Sequence, residues 1–141
     1  LKNWDAKDLP GMRELAVRIG RESMAVGAAL GYKLEPVFGL SAEEFAEAND
    51  ATLIKAMETL QAHTGKESVT APIHDHVKGR KSEMNLINGL VATKGVELGI
   101  EVVCNAAVTE IDRQINEGEI EMDPSNFGLL KSMVGSIPNR V

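Results

Sequence analysis

Residues 72 to 83 read Pro72-Ile73-His74-Asp75-His76-Val77-Lys78-Gly79-Arg80-Lys81-Ser82-Glu83, and the chain then runs on through Asn88-Gly89. This stretch holds two of the protein's three histidines, and it places an aspartate and a glutamate eight residues apart. Its proline suits the first turn of a short helix that ends near residue 79. A long helical pattern begins at residue 81 or 82. The rest of the chain is expected to be a helical scaffold around this segment.

Composition and periodicity both predict helices rather than sheets. Aromatic residues make up 4% of the 141 residues, whereas strand-rich domains usually draw on aromatic and β-branched residues. No alternating apolar run exceeds a few residues, and apolar residues instead recur at helical spacings. We therefore predict an all-α fold, a compact multi-helix bundle in which residues 1–141 form a single helical domain.

Local sequence features predict where the helices begin and end. Asp8, Asp50 and Asn105 are expected to cap three helices at their N-termini, and residues 41–44 form a capping box before a short one. The apolar residues of the loop over 32–40 are expected to pack back onto the core. The predicted helices span approximately residues 10–30, a short piece after 44, 50–65, 72–79, 82–98, 105–116 and 127–133.

Charge and hydropathy exclude several classes of partner. The net charge of −6 argues against nucleic acid, because a phosphate-binding surface needs a concentrated basic face. No apolar run approaches the length of a membrane span, and no signal peptide is evident. A single cysteine cannot form an internal disulfide. These features predict a cytoplasmic protein that contacts neither nucleic acid nor membrane, and the start at Leu1 favours a fragment of a longer protein.

Glu83 opens the long helical pattern on the same face as Ile87, Leu90 and Lys94, at spacings of four, three and four. Two interpretations are open. Beside apolar neighbours the carboxylate is partly desolvated, which disfavours its charged form unless a nearby cation compensates. Alternatively, Glu83 is a glutamate at a helix start that faces solvent and stabilises the positive end of the helix dipole. Periodicity alone does not choose between them.

The run His74-Asp75-His76 suggests a metal site, because histidine and aspartate are good ligands. Residues two apart on a helix point in divergent directions, however, and no third or fourth ligand is evident. A hydrogen-bonding cluster at a cleft is the favoured interpretation. A metal-dependent hydrolase that uses these three residues is kept as a minor alternative, and no metal is predicted.

Other candidate chemistry is weak. Cys104 has no cationic neighbour in sequence to lower its pKa, so a small core residue is favoured over a nucleophile. The glycines of residues 27–31 and 95–99 have the spacing of helix ends rather than of a dinucleotide fingerprint. No cofactor-binding fold is therefore visible in this chain, and any redox chemistry needs another domain.

An ordered set of short motifs resembles the C-terminal domain of the ketopantoate reductase (2-dehydropantoate 2-reductase) family. The family pattern is an Asp, a Gly-Arg, a Ser/Thr-Glu pair, an Asn-Gly in the next helix, and a Pro-Asn after a Gly-Ile or Gly-Val. The resemblance extends from about residue 71 to residue 117, with further similarity over 20–36 and 124–126. The matching pieces here are Asp75 to Glu83, Ile87-Asn88-Gly89-Leu90-Val91, Gly99-Ile100 and Asn105.

The resemblance implies half of a two-domain, NADPH-dependent reductase. A Rossmann domain absent from this chain binds most of the nucleotide, and the helical domain holds a small 2-oxo acid. Glu83 matches the active-site glutamate, which contacts substrate and the cofactor sugar, and Asp75 matches an aspartate of the same cleft. Ala71 stands where the family has a serine that binds the substrate carboxylate, and Cys104 stands where it usually has proline. The family's general-acid lysine precedes the matching segment.

Two functions follow as hypotheses. The first is the substrate-binding domain of a reductase that converts a 2-oxo acid to a 2-hydroxy acid, and 2-dehydropantoate to pantoate if the family substrate holds, a step of pantothenate and coenzyme A biosynthesis. The isolated chain is then expected to be inactive and to bind nicotinamide nucleotide weakly or not at all. The alternative is a non-catalytic helical dimerisation or protein-interaction module, since apolar helix faces tend to pair, which also predicts a homodimer.

Overall fold

The computed structural model describes residues 9–33, 35–37, 39–64 and 70–135, and this part of the chain is helical. It contains no strand, and Val37 and Leu40 form an isolated antiparallel bridge. The prediction of an all-α fold is confirmed. The helices are α1 (Met12–Ala29), α2 (Ala42–Glu47), α3 (Asp50–Thr64), α4 (Ala71–Val77), α5 (Met84–Leu98), α6 (Val103–Asn116) and α7 (Asn126–Val134).

Two of the predicted helix caps were placed one or more residues away from the true ones. The Asn49 side chain accepts the Thr52 N–H at 2.9 Å, so Asn49 caps α3, while Asp50 pairs with Arg21 at 3.0 Å. Asn105 lies inside the first turn of α6 and is fully buried. Helix α6 is capped instead from another helix, as described below.

Other local predictions hold where the structure describes them. Ser41 and Glu44 form the capping box of α2. The Glu44 N–H donates to the Ser41 hydroxyl oxygen at 3.2 Å, and the Ser41 N–H donates to the Glu44 carboxylate at 2.8 Å. Val37 of the loop packs against the core as expected. The predicted cap at Asp8, the helix end at Gly65 and the loop residues Leu34 and Phe38 lie outside the described residues.

Helix α1 lies between two apolar clusters. Leu15 is 1% exposed and joins α1 to α6 and α7, whereas Val17 is 2% exposed and joins α1 to α2 and α3. The cluster around Val17 also contains Phe45 and Leu53. The buried members of the other cluster are Leu15, Cys104, Ala107, Ile111, Phe127, Leu130 and Val134.

Helices α5 and α6 pack closely because glycine replaces a side chain at two contacts. A Cβ on Gly95 would lie 2.4 Å from Val102 Cγ1, and one on Gly89 would lie 3.2 Å from Thr109 Cγ2. The chain turns sharply after α5, and the Ile100 N–H donates to the Gly95 carbonyl oxygen at 2.8 Å. This turn brings Val102 onto Gly95, and α6 then runs along α5. The predicted helix-and-cap role of residues 95–99 is confirmed.

Candidate functional site

The carboxyl end of α4 folds back so that Arg80 meets Asp75. Gly79 has φ of 69°, a left-handed conformation that favours glycine. The Arg80 N–H donates to the Asp75 carbonyl oxygen at 2.9 Å and the Gly79 N–H to that of His76 at 3.0 Å, which is the Schellman pattern. Arg80 Nη2 then donates to Asp75 Oδ1 at 2.5 Å. The spacing of Asp75, Gly79 and Arg80 thus produces a local ion pair.

Glu83 directly precedes α5, and its side chain is exposed. Its carboxylate makes no capping hydrogen bond, and within the described residues it has no side-chain partner. The neighbours on its helix face are also exposed, Ile87 at 57% and Leu90 at 54%. The shared face predicted from spacing therefore points away from the two clusters, and the structure corresponds to the interpretation of an exposed glutamate at a helix start.

A buried carboxylate on α6 connects α4 to the residue that precedes Glu83. Asp112 is 6% exposed. Its Oδ1 accepts the Ser82 hydroxyl at 2.5 Å and lies 2.8 Å from His76 Nε2. Its Oδ2 accepts the Asn116 amide at 2.8 Å, and Asn116 Oδ1 accepts the Ser82 N–H at 2.9 Å. We call the side chains of His76, Ser82, Asp112 and Asn116 the Asp112 network.

The predicted cluster of His74, Asp75 and His76 separates in the structure. His74 is exposed, Asp75 pairs with Arg80, and His76 meets Asp112. A hydrogen-bonding cluster does form, although its main acceptor comes from α6. Across residues 9–33, 35–37, 39–64 and 70–135, no group of three or more His, Cys, Asp or Glu is arranged to hold a metal ion. Ala71 is the exposed first residue of α4, one helical turn before Asp75.

A second polar network joins α1, α5 and α6. The Glu22 carboxylate accepts the N–H groups of Cys104 and Asn105, each at 2.8 Å, and the Asn105 amide at 2.7 Å. Asn105 Oδ1 accepts the Asn88 amide at 2.9 Å. Glu22 therefore supplies the acceptor that the first turn of α6 requires, and a carboxylate is favoured at that end of the helix dipole. Asn88 and Asn105, two motif residues of the family pattern, meet in this network.

Sequence reasoning missed Glu22, Asp112 and Asn116. One pattern on α6 could have indicated part of the network, because Asn105, Thr109, Asp112 and Asn116 recur at spacings of four, three and four. They form a polar stripe beside the apolar residues that pack on α1 and α7. Nothing in the local sequence around Glu22 indicates that it caps a helix 82 residues away.

Cys104 is a core residue, as predicted. It is 0% exposed and belongs to the cluster around Leu15. Burial, with a smaller contribution from the Glu22 carboxylate, raises the pKa of the Cys104 thiol to about 12. A thiol with such a pKa is protonated near neutrality and is a poor nucleophile.

Comparison with known proteins identifies the family. The family model described as "Ketopantoate reductase PanE/ApbA C terminal" matches residues 1–116. The chain belongs to this family. The match includes Ala71, Asp75 and Glu83, and it also includes Asp112 and Asn116. The family resemblance predicted from short motifs is thereby confirmed.

A curated relative agrees with the family match. A 2-dehydropantoate 2-reductase of Archaeoglobus fulgidus is 25% identical over 118 residues, which cover 84% of this chain and 34% of the relative. The chain thus spans about a third of the length of the curated relative that it matches. No solved structure matches the chain. None of the described helices is long and apolar enough to cross a membrane.

Proposed function

We propose that this chain is the substrate-binding part of an NADPH-dependent reductase that converts a 2-oxo acid to a 2-hydroxy acid. The observation that carries the proposal is Glu83, whose exposed carboxylate has no partner among the described residues. Both neighbours of Glu83 are held by hydrogen bonds, since Ser82 binds Asp112 and the Met84 N–H donates to the Ser82 hydroxyl at 3.3 Å. A fixed backbone with a free carboxylate is suited to bind a ligand.

The described residues fit one part of a nicotinamide nucleotide. The Glu83 carboxylate can accept hydrogen bonds from sugar hydroxyl groups or from a hydroxyl of the substrate. No glycine-rich phosphate loop lies among the described residues, so this chain contributes a contact rather than the main cofactor site. The proposal therefore assigns most of the cofactor contacts to a Rossmann domain that packs beside Glu83.

The reaction needs a positioned polar group near the substrate carbonyl. A nicotinamide cofactor bound here would supply the hydride for the keto carbon, and the carbonyl oxygen would then have to gain a proton. The family resemblance assigns the general acid to a lysine rather than to a carboxylate, so we propose that Glu83 orients the hydroxyl network rather than supplies the proton. Water must be excluded while this happens, and the exposed apolar residues Ile87 and Leu90 next to Glu83 favour closure by a second domain.

The substrate carboxylate has to be bound without the family's serine, because Ala71 has no hydroxyl group. Lys78, Arg80 and Lys81 are exposed between Asp75 and Glu83. They offer positive charge for an anionic substrate, and Arg80 retains free N–H groups beside its single bond to Asp75. We propose a small 2-oxo acid as the substrate class, with 2-dehydropantoate as the first compound to assay.

The test is the Glu83→Gln variant of the full-length natural protein. We expect turnover with saturating 2-dehydropantoate and NADPH to fall by about a hundredfold, while the thermal unfolding midpoint stays unchanged because the side chain is exposed. Glu97→Gln is the matched control, since Glu97 is an exposed glutamate near the other end of α5 and pairs with Lys94. Equal turnover of Glu83→Gln and the wild type would overturn the proposal.

The interaction-module alternative also has an observation in its favour. The outward face of α5 exposes Leu86 at 66% together with Ile87 and Leu90, and a contiguous apolar patch of this kind marks a contact surface. Under this alternative the Leu90→Lys variant would abolish association with a partner, and Glu83→Gln would have no effect on any reaction. Glu83→Gln therefore separates the two functions, because only the reductase predicts a loss of turnover in this variant.

A further inference from the structure

The Asp112 network fastens both ends of the segment that carries the proposed site residues. Asp75 and Glu83 lie at the two ends of this segment, and each adjoins a residue that contacts Asp112. His76 follows Asp75 and Ser82 precedes Glu83, and their side chains meet the same oxygen atom, Asp112 Oδ1. A single buried carboxylate on α6 therefore sets the position of α4 and of the start of α5 relative to each other.

Among the described residues, helix α4 has few contacts with the scaffold other than this one. None of its seven residues is buried, and none belongs to either apolar cluster. In its other side-chain hydrogen bond within the described residues, Asp75 accepts from Arg80 in the turn that follows. Within the described residues, the contact between His76 and Asp112 is the side-chain hydrogen bond that joins α4 to the scaffold.

The start of α5 is held more tightly still. The Ser82 N–H donates to Asn116 Oδ1 at 2.9 Å, the Ser82 hydroxyl donates to Asp112, and the Met84 N–H donates to the Ser82 hydroxyl. The backbone donors on both sides of Glu83 are thus bonded, while Glu83 itself has a free side chain. Burying a carboxylate costs stability unless it is fully bonded, and Asp112 is bonded on both oxygens.

We propose that Asp112 is a positioning residue that holds Glu83 and Asp75 in register through Ser82 and His76. This inference rests on the proposed function, because it assigns to Asp112 the task of orienting Glu83 toward the substrate. Asp112 itself does not touch the substrate, since it is buried beneath the segment. Loss of the network lets the segment between residues 75 and 83 shift, and a displacement of about 1 Å at a reacting group can cost on the order of a hundredfold in rate.

The test compares Asp112→Asn, Ser82→Ala and Ser82→Thr in the natural protein. Asp112→Asn replaces one of the two acceptor oxygens by an N–H₂ group, and Ser82→Ala removes the hydroxyl, so we expect each to lower kcat about tenfold or more with a smaller change in KM. Ser82→Thr keeps the hydroxyl, so its kcat should stay within about twofold of the wild-type value. Arg113→Gln is the control, because Arg113 neighbours Asp112 but pairs with the surface residues Glu110, Glu117 and Glu119.

A double variant separates positioning from a merely structural role. If Asp112 acts through Glu83 and Asp75, adding Asp112→Asn to Glu83→Gln lowers kcat by a smaller factor than Asp112→Asn does in the wild type, since residues that act as one unit are non-additive. A full additive loss in the double variant would overturn the proposal. Ser82→Ala keeps the test valid if Asp112→Asn fails to fold.

Hydrogen exchange provides a readout that needs no turnover. We expect the amides of Ser82 and Met84 to exchange faster in Asp112→Asn than in Arg113→Gln, and unchanged exchange would count against the proposal. The two proposals fail differently. If Glu83→Gln keeps full turnover, the proposed function is wrong; if Glu83→Gln loses turnover while Asp112→Asn and Ser82→Ala keep it, only the positioning role is wrong.

Discussion

Cys104 occupies the position at which the family resemblance expects proline, and its backbone shows how the exchange is accommodated. The residue is the second of α6, a part of a helix where proline is also tolerated. Cysteine keeps its N–H, and this N–H donates to Glu22 at 2.8 Å. The thiol meanwhile fills space in the cluster around Leu15. The departure from the family pattern therefore adds an N–H donor to the Glu22 cap of α6.

The buried thiol predicts a loss of stability at alkaline pH. The pKa of Cys104 rises from its ordinary 9.0 to about 12 on folding, so the folded state keeps a proton that the unfolded state releases. The stability that this proton contributes is fully present below pH 9.0 and is lost as the pH rises toward 12. Over this pH range we expect the free energy of unfolding to fall more steeply in the wild type than in Cys104→Ala. The difference between the two slopes is up to about 1.4 kcal/mol per pH unit. Urea unfolding at a series of pH values from neutral to alkaline measures this, and parallel curves for the two proteins would contradict it.

At the scale of the helices, sequence periodicity predicted which segments are helical but not which side of α5 is buried. The spacing of Glu83, Ile87 and Leu90 defines a face correctly, yet this face is exposed. The buried side of α5 contains Gly95, whose missing side chain admits Val102. Periodicity favours the most apolar face as the buried one, and here close packing at glycine decided otherwise.

The contact at Gly95 predicts opposite effects for two substitutions of glycine by alanine. A Cβ at Gly95 would overlap both γ carbons of Val102, at 2.4 and 2.6 Å, and valine is stiff and buried here. We expect Gly95→Ala to destabilise the protein by about 1–3 kcal/mol. Gly128 lies inside α7, where an added Cβ would meet no atom within 4 Å beyond its chain neighbours and the backbone of its own helix, so Gly128→Ala should stabilise by about 1 kcal/mol through helix propensity. Thermal or urea unfolding of both variants checks the signs, and a neutral Gly95→Ala would show that Val102 yields without cost.

At the scale of the whole molecule, the outward face of α5 leaves large apolar side chains uncovered. Leu86, Ile87 and Leu90 are each more than half exposed, and Glu83 lies at the same end of the helix. The chain spans about a third of its curated relative, and the proposed function assigns this face to the contact with the rest of such a protein. Without that contact, apolar faces tend to pair with each other.

We therefore expect the isolated 141-residue chain to associate through this face. Removing a leucine from such a contact costs about 1.5–3 kcal/mol, so Leu90→Lys should raise the dissociation constant of the self-association about tenfold or more. Val96→Lys is the control, because Val96 is 76% exposed on a different side of the helix. Sedimentation velocity over a concentration series measures the association. A monomeric wild type at all concentrations, or an equal effect of the two variants, would exclude pairing by this face.

The sequence by itself determined the helices, the capping box at Ser41, the turn at Gly79 and the family. The helices, the capping box and the turn each depend on residues within a few positions of one another, where spacing and side-chain type suffice. The family followed from the order of several short motifs over about residues 71–117. Only the tertiary structure decided that Asp112 meets Ser82 and His76, that Glu22 caps α6, and that α5 turns Glu83 outward. These contacts join residues 30 or more positions apart, and they exist because helix packing brings polar groups together at a depth where each must find a partner.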